Sequence, residues 1–317
     1  SILPGHAAIG NYLQKYILNR LFQGVILLFI VGLIVFALSR ATGNPAELLV
    51  PDDATEDEIQ FIEHQLGLDR PYHVQLFIFL SGAIKGDFGE SIAYKQPARD
   101  LFFDRLPNTL KLLPLSMGIA VGVSIPLGVL SATRRGTWID KLASSIGVFG
   151  VATPNFWLAI VGIYIFSVWL DLLPPGRMGG PSHYILPAIT LGTFSIAGMM
   201  RLIRSSMLEV LDTEYVKLAR IKGLPEWKVF WKHSLRNALI PVLTLFGVFL
   251  GGFVTGAIVT ETVFAWPGIG RLTIDAVSQR DFPLLQAVIL LDAVIILAVN
   301  LVVDILYAYV NPRIRFD

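Results

Sequence analysis

The amino-acid sequence predicts an all-α polytopic membrane protein with six transmembrane helices. The first observation behind this prediction is the composition: of 317 residues, 54% are hydrophobic and only 15% are charged, whereas an ordinary soluble domain carries about 25% charged residues. The second is that six apolar runs reach the length of about 20 residues that a helix needs to cross a bilayer. This composition excludes a disordered chain and a single soluble globule. The absence of cysteine excludes disulfides, thiolate metal sites and cysteine nucleophiles.

The first span contains no charged residue between Arg20 and Arg40. Its end loosely resembles a signal-peptide cleavage site, but we interpret it as a retained anchor because it is long enough to cross the bilayer and five spans follow. The third contains Pro154, which predicts a kink or a tilt. The fourth contains two prolines that place its expected start near residue 185. The six predicted spans are residues 21–39, 112–133, 142–170, 178–200, 237–260 and 282–310.

The distribution of basic residues predicts that both termini lie in the cytoplasm. In this orientation 15 of the 25 Lys and Arg residues fall in the short cytoplasmic segments, as the positive-inside rule requires. The predicted organisation is a cytoplasmic segment 1–20, a first helix 21–39, an extracytoplasmic loop 40–108, a transmembrane core 109–310 that includes the long loop 205–236, and a cytoplasmic tail 311–317.

The extracytoplasmic loop predicts one well-capped helix. Thr55 is an expected N-cap with Glu58 three residues later, and Gly67 is expected to end the helix before Pro71. The apolar stretch 76–84 is too short to span the membrane and is interpreted as a surface or re-entrant helix. Two interpretations of the loop stay open, a lid packed on the helix ends and a docking surface for a soluble partner.

The loop 205–236 is basic and yet has the pattern of folded structure. Residues 214–222 predict a helix that ends at Gly223, and Pro225 predicts the first turn of a second helix. An aromatic stripe above basic residues is expected on that helix, at Trp227, Phe230, Trp231 and Ser234. Two short helices hinged at a glycine predict a compact knob, residues 214–234. Periodicity alone does not separate an interfacial helix resting on lipid headgroups from a knob that fits a socket on a cytoplasmic protein.

The stretch LDTEYVKLARIKGLPEWKVFWKHSLRNALIPVLT, from Leu211, resembles the cytoplasmic loop of ABC-importer permeases, most closely the dipeptide, oligopeptide and nickel group. Residues 1–14 lie outside the resemblance. Asn44 stands where the group usually has aspartate, and Lys217, Leu218 and Ala219 stand where the broader family begins Glu-Ala-Ala. Other segments match the group in order: TGNP (42–45), LGLDRP (66–71), GDFGES (86–91), RLPNTLKL (105–112), IPLGVLSATRRGTWID (125–140), ILPAITLG (185–192), RLIRSSMLEVL (201–211), ETVFAWPGIGRL (261–272), RDFP (280–283), NLVVDILYA (300–308) and NPRIR (311–315).

The resemblance implies a type I ABC-importer permease fold in the bacterial cytoplasmic (inner) membrane. It implies that the chain forms half of a pathway for di- or oligopeptides, with nickel chelate, opine, glutathione or sugar as alternative cargoes. The implied partners are a second homologous permease, two ABC ATPase subunits, an extracytoplasmic binding protein and the lipid bilayer, without nucleic acid. ATP and Mg would bind the partner subunits, so no cofactor is expected here. The matching positions place the ATPase contact at Tyr215, Ala219, Lys222, Gly223, Leu224 and Glu226.

Missing motifs support a transport subunit that is not itself an enzyme. The sequence contains no Gly-Lys dipeptide and therefore no Walker A loop, and neither His-Glu-x-x-His nor Gly-x-Ser-x-Gly occurs. The five histidines show no metal-ligand spacing, so no metal site is expected. A self-sufficient secondary transporter or channel would predict inverted repeats with broken helices. An intramembrane enzyme would need catalytic residues that converge inside the spans.

Three acidic residues in or near the apolar runs need an explanation, because a charge at a helix centre costs about 2.5–3.5 kcal/mol on insertion scales. Asp304 lies one turn from Asn300, and a structural pairing role is expected for both. Asp292 lies deeper and is a candidate for the pathway or a gate. Glu261 ends the fifth span, where gating and packing are both open interpretations.

Overall fold

The structure is a computed structural model that describes residues 6–41, 46, 50 and 55–310. This part of the chain is helical, with one isolated antiparallel bridge between Glu90 and Pro97. The segments 1–5, 42–45 and 311–317, which include the TGNP motif and the expected tail, lie outside the described residues. The helices are α1 His6–Ala41, α2 Glu56–Leu66, α3 Tyr72–Lys85, α4 Ala98–Thr133, α5 Trp138–Ala152, α6 Asn155–Ile163, α7 Ile185–Leu211, α8 Glu214–Ile221, α9 Glu226–Lys228, α10 Leu235–Val263, α11 Ile269–Ser278 and α12 Phe282–Val310.

The all-α membrane class is confirmed, since five helices of the described part are long and apolar enough to cross a bilayer and the pair α5–α6 brings the number to six. The interruption expected at Pro154 is a break of 105° between α5 and α6 and not a kink within one helix. Thr153 is extended, at ψ 125°, because the proline ring disfavours a helical residue before it. A π-helical turn, Tyr164–Trp169, continues α6, and a 3-10 turn, Pro181–Tyr184, precedes α7, which starts at residue 185 as predicted.

The described helices group into two compact units. The first lies within Ser1–Pro107 and Gly268–Leu301, and its core is formed by the start of α4, by α11 and by the first half of α12. Asp281 caps α12: it is fully buried and accepts hydrogen bonds from the Leu284 amide (3.1 Å), the Ala93 amide (3.1 Å) and the Ser91 hydroxyl (2.5 Å). The GDFGES and RDFP motifs therefore meet at this carboxylate.

The second unit lies within Asn108–Pro267 and Val302–Ile314. Its largest core cluster joins α4, α7 and α10, and α5 and α6 both pack against α7. The helices approach closely at Gly192 on α7, where an added Cβ would lie 2.9 Å from the backbone oxygen of Ser116 on α4. Small residues permit such backbone contact between membrane helices.

The cap of α2 agrees with the sequence prediction. The Thr55 amide donates to the Glu58 carboxylate at 2.8 Å, and Gly67 ends the helix at φ +66°. Helix α3 covers the stretch that was expected to be too short to span. With 14 residues it is about 20 Å long, against a hydrocarbon core of about 30 Å.

Candidate functional site

The knob has a small hydrophobic core of its own. Val216 and Ala219 of α8 contact Val229, and Leu224 and Phe230 pack against these three. The second helix of the knob differs from the prediction, because α9 runs through a π-helical turn, Val229–Ser234, directly into α10. The knob is therefore the continuous end of a membrane-spanning helix with α8 folded against it.

The expected hinge at Gly223 is a helix-ending turn. Gly223 has φ +76°, its amide donates to the Arg220 oxygen at 2.9 Å, and the Leu224 amide donates to the Ala219 oxygen at 3.3 Å. These two bonds are those of a Schellman motif, which requires a left-handed residue at the glycine position. A Cβ added to Gly223 would meet no atom within 4 Å, so the backbone conformation and not the available space selects glycine.

Two side-chain contacts hold α8 in place. The Arg220 guanidinium donates to the Glu226 carboxylate across the turn at 3.0 and 3.4 Å. The Asn237 amide donates to the Tyr215 hydroxyl at 2.7 Å and so joins α8 to α10. Both contacts are solvent-exposed, and exposed pairs contribute about 0–1 kcal/mol each. Their role is to fix orientation more than to add stability.

The structure separates the six predicted contact residues into two groups. Ala219 and Leu224 point into the core of the knob and support it, whereas Tyr215, Lys222, Gly223 and Glu226 are exposed. Three further apolar side chains of the knob are exposed: Leu218 is 50% exposed, Ile221 82% and Trp227 62%. The sequence prediction named Trp227 in its stripe and missed Leu218 and Ile221. Their signal was available, because Leu218 and Ile221 alternate with the buried Val216 and Ala219 around the amphipathic α8.

The predicted aromatic stripe does not form one face. Trp227 and Trp231 are exposed, Phe230 packs inward and Ser234 is buried. The physical reason is the π-helical turn, whose hydrogen bonds join residues five positions apart and not four. Val229 and Ser234, which are five positions apart, therefore lie on the same side and are both fully buried.

A partly buried ion pair, missed by the sequence prediction, joins α5 to α7. The Arg204 guanidinium donates to both carboxylate oxygens of Asp140, at 2.7 Å from Nε and 3.0 Å from Nη2. The same carboxylate accepts from the Ser131 hydroxyl at 2.5 Å and from the Gly136 amide at 2.9 Å. We call these four residues the clamp. Seven residues after Arg204, α7 ends and the chain turns into α8, so the clamp and the knob are connected by one continuous helix.

Glu261 is held in the interior of the second unit. It is fully buried and accepts a hydrogen bond from the Thr109 hydroxyl at 2.6 Å. Nearby, the Trp266 indole donates to the Asn108 carbonyl at 2.9 Å, and the Asn108 side-chain amide donates to the Pro267 carbonyl at 2.9 Å. Gating and packing both stay predictions for Glu261.

The remaining acidic candidates lie on α12. Asp292 is partly buried, and its Oδ1 atom has no hydrogen-bond partner among the described residues. Asn300 is exposed, and Asp304 is partly buried and has an interaction partner. The pathway role of Asp292 and the pairing of Asn300 with Asp304 stay predictions. In the described part of the chain, no group of three or more His, Asp or Glu residues has the geometry of a metal site.

Comparison with known proteins supplies the context for this geometry. Residues 124–316 match the family model described as the binding-protein-dependent transport system inner membrane component, and residues 13–113 match the model of its N-terminal part. The chain is 42% identical over 303 residues to the glutathione transport system permease protein GsiC of Escherichia coli (strain K12), covering 95% of this chain and 99% of that protein.

Two further similarities extend the comparison. The chain is 40% identical over 317 residues to the oligopeptide transport system permease protein AppB of Bacillus subtilis (strain 168), covering 96% of this chain and 100% of that protein. Among solved structures, inward-facing conformations of the MetNI methionine ABC transporter align with a TM-score of 0.57 at 17% identity, covering 67% of this chain and 96% of that chain.

Proposed function

The chain belongs to the family of binding-protein-dependent transport system inner membrane components, and from this premise we propose that it is the permease subunit of an ATP-driven importer of small peptides. It is a multi-pass inner-membrane protein and an ABC-importer permease, a class without an ATPase site of its own. The proposed cargo is di- and oligopeptides, including tripeptides of the size of glutathione. The names of the two relatives, glutathione permease and oligopeptide permease, support this range.

The observation that carries the mechanism is the exposed surface of the knob. Leu218, Ile221 and Trp227 are exposed apolar side chains on a small, internally packed element, and Leu218 and Ile221, three positions apart, share one face of α8. Large apolar side chains left exposed together indicate a contact with another protein. The proposed contact is a socket on an ABC ATPase, and Lys222, Gly223 and Glu226 complete the surface.

The proposed coupling follows from the rigid connections of the knob. A force on α8 is transmitted to α10 by the shared core and the continuous π-helical turn, and to α7 by the chain itself. The clamp then transfers motion of α7 to α5. Coupling between ATP hydrolysis and transport requires an element with two arrangements that both sites bias, and the knob with its two spans is the proposed element.

The proposed assembly contains this chain, a second homologous permease, two ATPases that bind ATP and Mg, and an extracytoplasmic binding protein. Both termini are proposed to lie in the cytoplasm. This orientation puts the basic loop with the knob on the side of the ATPases and α2 and α3 on the side of the binding protein, as the positive-inside rule favours.

The test is purification of the tagged chain from its own membranes with and without a changed knob. The wild-type chain is expected to bring a homologous permease and Walker-motif ATPases with it. Ile221→Asp is expected to lose the ATPases and keep the permease. Leu172→Asp is the matched control, because Leu172 is 68% exposed and precedes α7 instead of following it. Retention of the ATPases by Ile221→Asp would contradict the assignment of the surface.

Cargo is tested separately in the reconstituted complex. Binding-protein-dependent uptake of labelled di-, tri- and pentapeptides, glutathione among them, is the expected result. Uptake confined to a nickel chelate, an opine or a sugar would move the proposal to another branch of the same machinery. Transport by this chain alone without ATP would contradict the importer mechanism altogether.

A further inference from the structure

Helix α3 meets the membrane-spanning helices α1 and α12 deeper in the bilayer than a helix on the membrane surface would. A Cβ built on Gly32 of α1 would lie 3.2 Å from Leu80 of α3 and 3.8 Å from Leu290 of α12. The Phe79 ring stacks on the Phe36 ring with centroids 6.0 Å apart. Three helices of the first unit therefore meet at one point, and the position of that point along two of them is known.

The depth of this point can be measured along both spanning helices. Gly32 lies eight residues before Arg40, the first charged residue after the span, which is about 12 Å along the helix axis. Leu290 lies eight residues after the start of α12 at Phe282, again about 12 Å. Half of the hydrocarbon core is about 15 Å thick. Both estimates therefore place Leu80 inside the hydrocarbon.

The outward surface of α3 has the chemistry of a lipid contact. Phe77 is 72% exposed, Ile84 is 87% exposed and Ile78 is 47% exposed. No charged residue occurs from Val74 to Ile84, and His73 and Lys85 flank this stretch. The neighbouring helix α1 likewise has exposed apolar side chains, among them Phe29, Ile30 and Ile34.

Two polar side chains of α3 donate hydrogen bonds to backbone carbonyls. The Gln75 amide is buried and donates to the backbone oxygens of Leu68 (2.8 Å) and Arg70 (2.6 Å), and the Ser81 hydroxyl donates to the Ile78 oxygen of its own helix at 3.0 Å. At the C-terminal end, the Gly86 and Asp87 amides donate to the carbonyls of Ala83 and Gly82. The Gln75 Oε1 atom is buried without a hydrogen-bond partner among the described residues. Pairing of the donor groups lowers the cost of placing the helix in hydrocarbon.

We propose that α3 is a membrane-embedded helix whose Phe77, Ile78 and Ile84 side chains contact the acyl chains of the leaflet in which α1 ends and α12 begins. In the orientation proposed above this is the outer leaflet. Helix α2 is different: its first turn carries Glu56, Asp57 and Glu58, and it belongs in water. The loop between the first two spans thus has one helix in water and one in lipid.

The experiment uses the lack of native cysteine, which permits single spin labels. Labels at Phe77→Cys and Ile84→Cys are compared with Phe29→Cys on the lipid-facing side of α1 and with Gln60→Cys on the exposed surface of α2. The full chain in lipid nanodiscs and the assembled complex, with partner cysteines blocked, are both measured. Collision rates with oxygen, which concentrates in lipid, and with a water-soluble nickel chelate report the surroundings of each label.

The expected result is that labels at 77 and 84 collide with oxygen as at 29, with a ratio of oxygen to nickel collisions several-fold above that at 60, in both samples. Access of the nickel chelate at 77 and 84 would overturn the proposal in favour of water. Shielding from both reagents in the complex alone would overturn it in favour of a partner protein as the occupant. The oxygen result does not depend on orientation or cargo, so this proposal and the proposed function fail separately.

Discussion

Replacing Arg204 by methionine tests the clamp most directly. The substitution keeps much of the volume of the side chain and removes two of the four hydrogen bonds that the Asp140 carboxylate accepts. The Asp140 side chain is 9% exposed, so its charge loses its partner at a position with little access to water. Breaking a buried ion pair on one side costs about 3–5 kcal/mol.

We expect a loss of about 3 kcal/mol, the lower end of that range, because two hydrogen bonds remain on Asp140 and the Arg204 side chain is 29% exposed. Asp140→Asn combined with Arg204→Met removes the stranded charge and should recover about half of the loss. Arg201→Met is the matched control: Arg201 lies on the same helix and is exposed, so its replacement should change stability by less than about 0.5 kcal/mol.

The free energy of unfolding is measured by reversible denaturant titration of the purified chain in mixed micelles. The samples are wild type, Arg204→Met, Asp140→Asn, the double variant of these two, and the control Arg201→Met. In the reconstituted transporter, the same variants are assayed for ATP hydrolysis stimulated by the loaded binding protein. An interaction energy close to zero in the double-mutant cycle, or equal stability of Arg204→Met and Arg201→Met, would refute the clamp as a stabilising unit.

Three other predictions concern single positions. Gly223→Val is expected to insert normally and abolish transport-linked ATP hydrolysis, because φ +76° is strained for a β-branched residue. Gly223→Asn is expected to keep most of the ATP hydrolysis, because asparagine tolerates this conformation. Equal ATP hydrolysis by the two variants would contradict the turn. Asp281→Ala should lower the free energy of unfolding by about 2–3 kcal/mol, since the Ser91 hydroxyl loses its buried acceptor, and Asp281→Asn should lose less. The hydrogen bond from the Thr55 amide lowers the pKa of Glu58 below its usual 4.5. The stabilisation of α2 by the Glu58 carboxylate is therefore complete above pH 4.5 and is lost as the pH falls further. Amide hydrogen exchange in the first turn of α2 should report this loss in wild type and not in Glu58→Gln.

Features that depend on neighbouring residues could be predicted from the sequence. The Thr55–Glu58 cap, the turn at Gly223 and the start of α7 each follow from a short pattern, and each is present. The apolar runs predicted the membrane helices, although the structure extends several of them, and α4 begins at Ala98 well before the expected residue 112.

Features that depend on distant residues could not be predicted. Asp140 and Arg204 are 64 positions apart, and neither periodicity nor propensity reports which charged residues of two helices will face each other. The π-helical turn at Val229–Ser234 was missed because its sequence reads as an ordinary amphipathic helix with a period of 3.6. For the knob, the sequence predicted the turn at Gly223, while packing decided that Ala219 and Leu224 lie inside and Ile221 outside.

The break at Pro154 has a consequence for how the chain enters the bilayer during synthesis. Helix α5 has 15 residues, about 22 Å, and α6 with its π-helical turn has a similar length, so neither is long enough to be retained by the insertion machinery as a segment of its own. Both pack on α7, which is made after them. We therefore expect α7 to strengthen the integration of this region, so that a nascent chain that stops before residue 185 is extracted from the membrane more readily than one that includes α7.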